Sequence, residues 1–209
     1  MSLKISASGG TDFEIHPAGV VAARCIRLIE LGTQESEYLG QKKRAKKVML
    51  AFETSAMMTE GEFSGKPFLM TTRYTASLHE KAALRKILKG WRGRDFTDIE
   101  LDGFDLKNVL GKNCMINVVH NDSGDKTYAN IDSIMPLPAG MIAPKVNPLV
   151  HFDLDEFDKD VFGALSKSLQ ETISKSPEYI KLTKGEAYGE DATASGAAGI
   201  ADLDSDIPF

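Results

Sequence analysis

The stretch SLHEKAALRKILKG, residues 77–90, decides the fold class, because it predicts one amphipathic helix between two groups of strand-like segments. Ser77 and Glu80 have the spacing of a capping box, in which a hydroxyl and a carboxylate satisfy free N–H groups of the first helical turn. Gly90 is a typical residue for the end of a helix. Apolar residues recur on one face of this helix: Leu78, Ala82, Leu84, Ile87 and Leu88. Cations recur on another face: Lys81, Arg85 and Lys89.

Segments rich in β-branched and aliphatic residues lie on both sides of this helix. They predict three strands before it and two after it, at 19–32, 46–54, 66–76, 113–120 and 127–137. Residues 33–46 read as a polar loop, and residues 91–112 as a compact loop with one or two helical turns. This order is that of the OB-fold, a five-stranded Greek-key β-barrel with a helix between strands 3 and 4, although other α+β domains share it. The sequence therefore predicts a mainly-β, five-stranded OB-fold.

Composition divides the chain into four parts. Residues 1–18 are rich in Gly and Ser and predict a flexible N-terminal arm, and residues 19–150 contain the predicted barrel. Residues 151–183 have mixed helical periodicity and predict a helical C-terminal extension. Residues 184–209 contain few large apolar side chains and predict a disordered acidic tail.

The cysteines and the hydropathy pattern indicate the compartment. Cys25 and Cys114 each lie in an apolar run, which argues against a disulfide scaffold and for a reducing environment. The N-terminus lacks an apolar core of signal-peptide length, and no run of about 18 apolar residues occurs. We therefore expect a cytoplasmic protein that is not bound to a membrane.

The net charge of −5 hides a strong segregation of charge along the chain. Residues 41–112 carry 15 Lys and Arg against 9 Asp and Glu, whereas residues 113–183 carry 6 against 10. Residues 184–209 carry 1 against 6. A basic segment followed by an acidic tail favours nucleic acid as the partner of the first and a competing or recruiting role for the second. Two solvated faces of opposite sign are the alternative.

The run KKRAKK, residues 42–47, places five cations within six residues where the predicted loop meets the second strand. Such a cluster displaces counterions from phosphates and gives salt-sensitive affinity without sequence preference. If four to six phosphates were neutralised, log affinity would fall against log salt with a slope of roughly 3 to 4 for a single strand. A solubilising loop, or a surface for an acidic protein, is the alternative.

Two further groups combine cations with aromatic rings. The helical cations are followed by WRGR, in which Trp91 could stack on a base for about 1–3 kcal/mol, although a core or capping role is equally consistent with one tryptophan. For each aromatic residue on the strands, a core position is the favoured interpretation; Tyr74 on the third strand and Tyr128 on the fifth are the strongest candidates for exposure. The candidate DNA-binding residues are Lys42, Lys43, Arg44, Lys46, Lys47, Arg73, Tyr74, Lys81, Arg85, Lys89, Trp91, Arg92, Arg94, Lys126 and Tyr128.

Signals of enzyme chemistry are missing from the sequence. None of the four histidines has a partner at metal-ligand spacing, and HNDSGD at 120–125 is typical of a hairpin turn. The acidic stretch DLDEFDKD, residues 153–160, lacks the Gly and terminal Glu of an EF-hand loop. Phosphate-binding glycine loops, a nucleophile elbow and CxxC are also missing. We therefore predict a protein that is not an enzyme and needs neither a metal nor a cofactor.

The end of the chain, DLDSDIPF at 202–209, resembles the acidic C-terminal tip of bacterial single-stranded-DNA-binding proteins. The body resembles phage-type single-stranded-DNA-binding proteins of the OB-fold class, through ARCIRLIELGTQ, RYTASLHEKAALRKILKGWRGR and NVVHNDSGDKTYANIDSIMPLP. This resemblance covers most of residues 19–150 and the tail. It implies a barrel that coats single strands without sequence preference during phage DNA replication, recombination and repair, in the cytoplasm of the host.

The resemblance also implies that the tail recruits replication or repair proteins. Phe209, with its free carboxylate, would enter an apolar pocket with a basic rim on such a partner, and the acids would meet the surrounding cations. The same tip could compete weakly for the basic groove when DNA is absent. The partner-binding residues are then Asp202, Asp204, Asp206, Ile207, Pro208 and Phe209.

Two other functions and the oligomeric state remain open at this point. A strand-annealing accessory would bind similarly but act through rings or filaments, and a protein-interaction adaptor would use the basic face to hold an acidic protein. A homodimer or a higher oligomer is compatible with the sequence.

Overall fold

The computed structural model describes residues 14–38 and 41–184, except for the side chains of Tyr38 and Lys184. The first part of the predicted N-terminal arm therefore lies outside the described residues. The same holds for the acidic tail beyond Lys184, including all six predicted partner-binding residues.

The fold is mainly β, as predicted. Its strands are β1 (Gly19–Tyr38), β2 (Gln41–Met57), β3 (Pro67–Thr75), β4 (Asn113–Ser123), β5 (Lys126–Met135) and β6 (Val150–Phe152). Five of them form an antiparallel sheet in the order β3-β2-β1-β4-β5, and the short β6 pairs with β1 in parallel. β3 and β5 contact each other, but no hydrogen-bonded pairing closes the sheet among the described residues.

The polar loop predicted at 33–46 is wrong. β1 and β2 continue as a hairpin, with pairing from Gly32 opposite Lys47 to Tyr38 opposite Gln41. Glu35 lies opposite Arg44, and Glu37 lies opposite Lys42. Opposite charges on facing strand positions stabilise a ladder that a polar composition alone does not reveal.

Short helices connect and follow the strands. They are α1 (Ala83–Arg92), α2 (Asp98–Asp102), a 3-10 turn (Leu106–Val109), α3 (Lys159–Ala164), α4 (Lys167–Ser174) and α5 (Pro177–Lys184). α1 lies between β3 and β4, as predicted, and the turns at 91–112 and the C-terminal helices are also confirmed. β6 was not predicted, because three residues after a Pro-rich connection carry no strand periodicity.

The predicted ends of α1 are wrong. The Ser77 hydroxyl accepts the backbone N–H of His79 in a turn before the helix, which begins only at Ala83. The capping box lies instead at α2, where Thr97 and Glu100 satisfy each other's backbone N–H groups. α1 passes through Gly90 and ends at Gly93, whose φ of 66° is left-handed.

Gly90 has a packing role inside α1. A Cβ atom at this position would lie 2.8 Å from the backbone oxygen of Ile134 in β5. Glycine therefore allows the helix to approach the strand closely.

Two apolar cores lie on opposite faces of the sheet. Leu28 and Leu50, which face each other across β1 and β2, belong to the first core, and α1 covers it with Leu84, Leu88 and Trp91. The next pair, Ile29 and Met49, belongs to the second core, because successive side chains of a strand point to opposite faces. The second core is completed by residues of β6 and the C-terminal helices: Phe152, Leu154, Leu165, Leu169 and Ile173.

The described end of the N-terminal arm, residues 14–18, is held in place, so the loose arm predicted there is wrong. The Glu14 carboxylate accepts the backbone N–H of Thr59 at 2.7 Å. His16 is 3% exposed, its Nε2 lies 3.0 Å from the Thr54 hydroxyl, and its ring packs on Phe68. No described helix has the length and apolar character needed to cross a membrane.

Candidate nucleic-acid interface

The five clustered cations lie on β2: Lys42, Lys43, Arg44 and Lys46 pair only with β1, and Lys47 also pairs with Thr75 of β3. Lys42, Arg44 and Lys46 are exposed, whereas the alternating Lys43 and Lys47 are half-buried. Since successive strand residues point to opposite faces, the cations are divided between the two faces of the hairpin. The Lys47 ammonium donates to the Thr75 hydroxyl of β3 at 2.7 Å.

One carboxylate on β1 holds two of these cations. Glu35 lies 2.9 Å from the Lys42 ammonium and 3.1 Å from Nε of Arg44. Hydrogen bonds from Lys42 and then Arg44 hold the pKa of Glu35 below its usual value. All three side chains are exposed, and a surface ion pair of this kind contributes little to stability, because water screens it. The pairs are therefore weak enough to exchange for other anions.

Lys46 belongs to the base of the hairpin. Its ammonium lies 2.7 Å from Glu30, and that hydrogen bond raises the pKa of Lys46. The buried Glu30 also accepts the backbone N–H of Leu154 at 3.1 Å. Lys46 therefore contributes to the junction between the hairpin and the C-terminal extension, and its charge is less available than that of Lys42 or Arg44.

The second predicted cluster, at the end of α1, is largely compensated by acids. Lys89 lies 2.8 Å and Arg85 3.3 Å from Asp95. The hydrogen bond from Lys89, followed by that from the Phe96 backbone, lowers the pKa of Asp95 to about 2.

Arg92 and Arg94 share another carboxylate. Both pair with Glu100, and the hydrogen bond from Arg94, followed by the Thr97 backbone, lowers the pKa of Glu100 to about 2. Arg92 also lies over the rings of Phe96 and Phe104, 4.4 and 5.3 Å from the ring centres. Arg92 is therefore mainly a packing residue.

Two candidate stacking residues lie in the core. Tyr74 is 5% exposed and lies on the same inward face of β3 as Phe68 and Met70, in the core position that the sequence favoured for the strand aromatics. Trp91 is 7% exposed, and its indole N–H donates to the backbone oxygen of Asn113 at 2.9 Å. Neither ring is free to lie between two bases.

The remaining candidates lie on separate elements. Arg73 is exposed on β3, Lys81 precedes α1, and Lys126 begins β5 directly after the turn at Gly124. Tyr128 is half-buried opposite Asn121.

Sequence reasoning missed the acids that pair with the cations, namely Glu30, Glu35, Asp95 and Glu100. Glu35 was visible in the same polar segment, but only the strand register places it beside Arg44. In residues 14–38 and 41–184, no three His, Cys, Asp or Glu side chains form a group suited to a metal ion. No protein-family model matches this chain, and no curated protein does so either.

Proposed function

We propose that this protein binds single-stranded DNA without sequence preference, as a phage-type coating protein of replication, recombination and repair in the host cytoplasm. The observation that carries this proposal is the self-paired β1–β2 hairpin, which holds five cations within six residues. On such a ladder, the cations can bind successive phosphates without recognising the identity of the bases.

The strand order supports an OB-fold as the scaffold. In that fold, the loops between strands 1 and 2 and between strands 4 and 5 bind oligonucleotides, together with the face of strands 2 and 3. Here the β1–β2 hairpin occupies the first of these positions, and the turn before Lys126 occupies the second. Arg73 on the exposed side of β3 would extend the same surface. The contact between β3 and β5 lies where such a barrel closes.

The glutamate on the hairpin is compatible with this role. Glu35 occupies Lys42 and Arg44 through exposed pairs, and a phosphate can replace it because surface ion pairs contribute little. Glu35 would thus hold both cations in place until a strand arrives.

The acidic tail would recruit partners in the same proposal. Asp202, Asp204 and Asp206 would speed the encounter with a basic replication or repair protein, and Ile207, Pro208 and Phe209 would fill an apolar pocket on it. Without DNA, the acids would compete for the hairpin cations.

The test is fluorescence anisotropy of labelled oligo-dT and a matched duplex, measured between about 50 and 200 mM salt. The test variant is Lys42→Ala/Lys43→Ala/Arg44→Ala. The control, Lys159→Ala/Lys167→Ala/Lys181→Ala, removes the same charge from exposed positions of the C-terminal helices.

We expect tight binding to the single strand, weak binding to the duplex, and a salt slope that falls by about 2 in the hairpin variant only. Equal losses in both variants would mean that net charge, and not the hairpin, attracts DNA. No binding of oligo-dT at low salt would refute the proposal and favour an adaptor that holds an acidic protein.

A further inference from the structure

A pocket of about 520 Å³ opens beside the C-terminal end of α1, and none of its lining residues belongs to the β1–β2 hairpin. It is lined by four separate segments: α1, the 3-10 turn, the start of β4 and the residues after β5. Its volume lies in the range of small-ligand sites, about 300–1,000 Å³. The sequence gives no local signal for this pocket, because its lining residues come from different helices, turns and strands.

The walls of the pocket combine flat apolar surface with a fixed cation. Phe104 and the remaining exposed edge of Trp91 line it, together with Pro136. Arg92 also lines it, with its guanidinium held over Phe104 and tied to Glu100. Aromatic rings and a held guanidinium plane are the surfaces on which nucleic-acid bases stack.

One buried donor of the pocket has no partner among the described residues. Nη1 of Arg92 is buried, and no hydrogen-bond acceptor for it exists among the described residues. Asn108, Lys112 and Asn113 also line the pocket and are exposed, so their amides and ammonium are accessible to a ligand. Buried donors are normally satisfied, so Nη1 of Arg92 favours a ligand that supplies an acceptor.

These features fit one kind of ligand. A nucleotide has a planar apolar ring, a hydrogen-bonding edge and an anionic phosphate. The amides carry both donors and acceptors, so they can pair with the edge of any base, and Lys112 can meet the phosphate. We propose that this pocket, which we call the α1 pocket, binds one nucleotide of the bound single strand. The inference rests on the proposed function, because the strand is the source of that nucleotide.

The chain offers its own reporter, because Trp91 is its only tryptophan and lines the α1 pocket. Tryptophan emission is followed while short oligo-dT is added, and strand binding is measured in parallel by anisotropy. The test variant is Asn108→Ala/Lys112→Ala, and the control is Lys167→Ala/Ser168→Ala; all four residues are exposed. Native fluorescence and urea unfolding of each variant confirm that it is folded.

We expect emission to be quenched in step with strand binding, and the test variant to bind about tenfold more weakly, the effect of losing one hydrogen bond to a charged group. Strand binding without quenching, with equal affinities for both variants, would overturn the pocket while leaving the proposed function intact. Absence of any strand binding would overturn both. Quenching by a peptide of residues 202–209, but not by oligo-dT, would assign the pocket to an acidic peptide instead.

Discussion

Replacing Gly90 by alanine tests how closely α1 packs on the sheet. Helix propensity alone predicts that Gly90→Ala stabilises the protein by about 0.5–1 kcal/mol, because Gly90 lies inside α1. The structure predicts the opposite. The new Cβ would lie 2.8 Å from the backbone oxygen of Ile134, and a strand backbone moves less readily than a side chain.

The change in the free energy of unfolding combines the gain in helix propensity with the cost of the close contact to Ile134. Overpacking a well-packed site costs about 1–3 kcal/mol, which exceeds the gain in propensity. We therefore expect Gly90→Ala to lower the free energy of unfolding by about 1–2 kcal/mol. Gly163 in α3 is the matched control, because a Cβ there meets no atom within 4 Å. Gly163→Ala should stabilise the protein by about 0.5–1 kcal/mol.

Urea unfolding of the wild type and both variants, followed by circular dichroism, provides the measurement. The two substitutions should shift the midpoint in opposite directions with unchanged m-values. If Gly90→Ala stabilises the protein as much as Gly163→Ala does, α1 does not approach β5 as described, and the reasoning is refuted.

Three further predictions concern buried groups. Burial lowers the pKa of His16, so its contribution to stability is complete above the ordinary pKa near 6.5 and is lost as pH falls through the lowered pKa. Urea midpoints plotted against pH should therefore show a slope that His16→Gln removes. An unchanged slope in this variant would contradict the prediction. Glu53→Gln should lower the free energy of unfolding by about 3–5 kcal/mol, because it leaves Arg24 without its buried carboxylate. Urea unfolding measures this loss, and a loss below about 1 kcal/mol would mean that the Arg24–Glu53 pair is solvated. Burial raises the pKa of both thiols, that of Cys25 to about 12. Neither thiol should therefore react with a thiol reagent at pH 8 until the protein unfolds. Rapid labelling of the native protein would contradict their burial.

Local patterns were sufficient for the existence and order of the main elements. Five strands and the helix between the third and fourth follow from runs of aliphatic residues and from one amphipathic stretch, because these periodicities are properties of consecutive residues. The placement of Cys25 and Cys114 in apolar runs argued against a disulfide scaffold, and both thiols are free and buried in the structure.

The ends of the elements depended on contacts between distant segments. The residues from Thr33 to Lys46 look like a loop until the register places Glu35 beside Arg44. Ser77 and Glu80 have the spacing of a cap, yet the Ser77 hydroxyl accepts from His79 in a separate turn and α1 begins only at Ala83. Pairing partners and packing surfaces are not encoded in local spacing.

The candidate interface divides in the same way. The sequence by itself determined that cations concentrate in residues 41–112 and acids in the tail, because charge is counted residue by residue. Only the tertiary structure decided which charges are available: Lys46 pairs with the buried Glu30 and Arg92 with Glu100, whereas Lys42 and Arg44 pair with the exposed Glu35, which another anion can replace. It also decided that Trp91 belongs to the core and to a pocket, because burial results from segments that meet only in the folded chain.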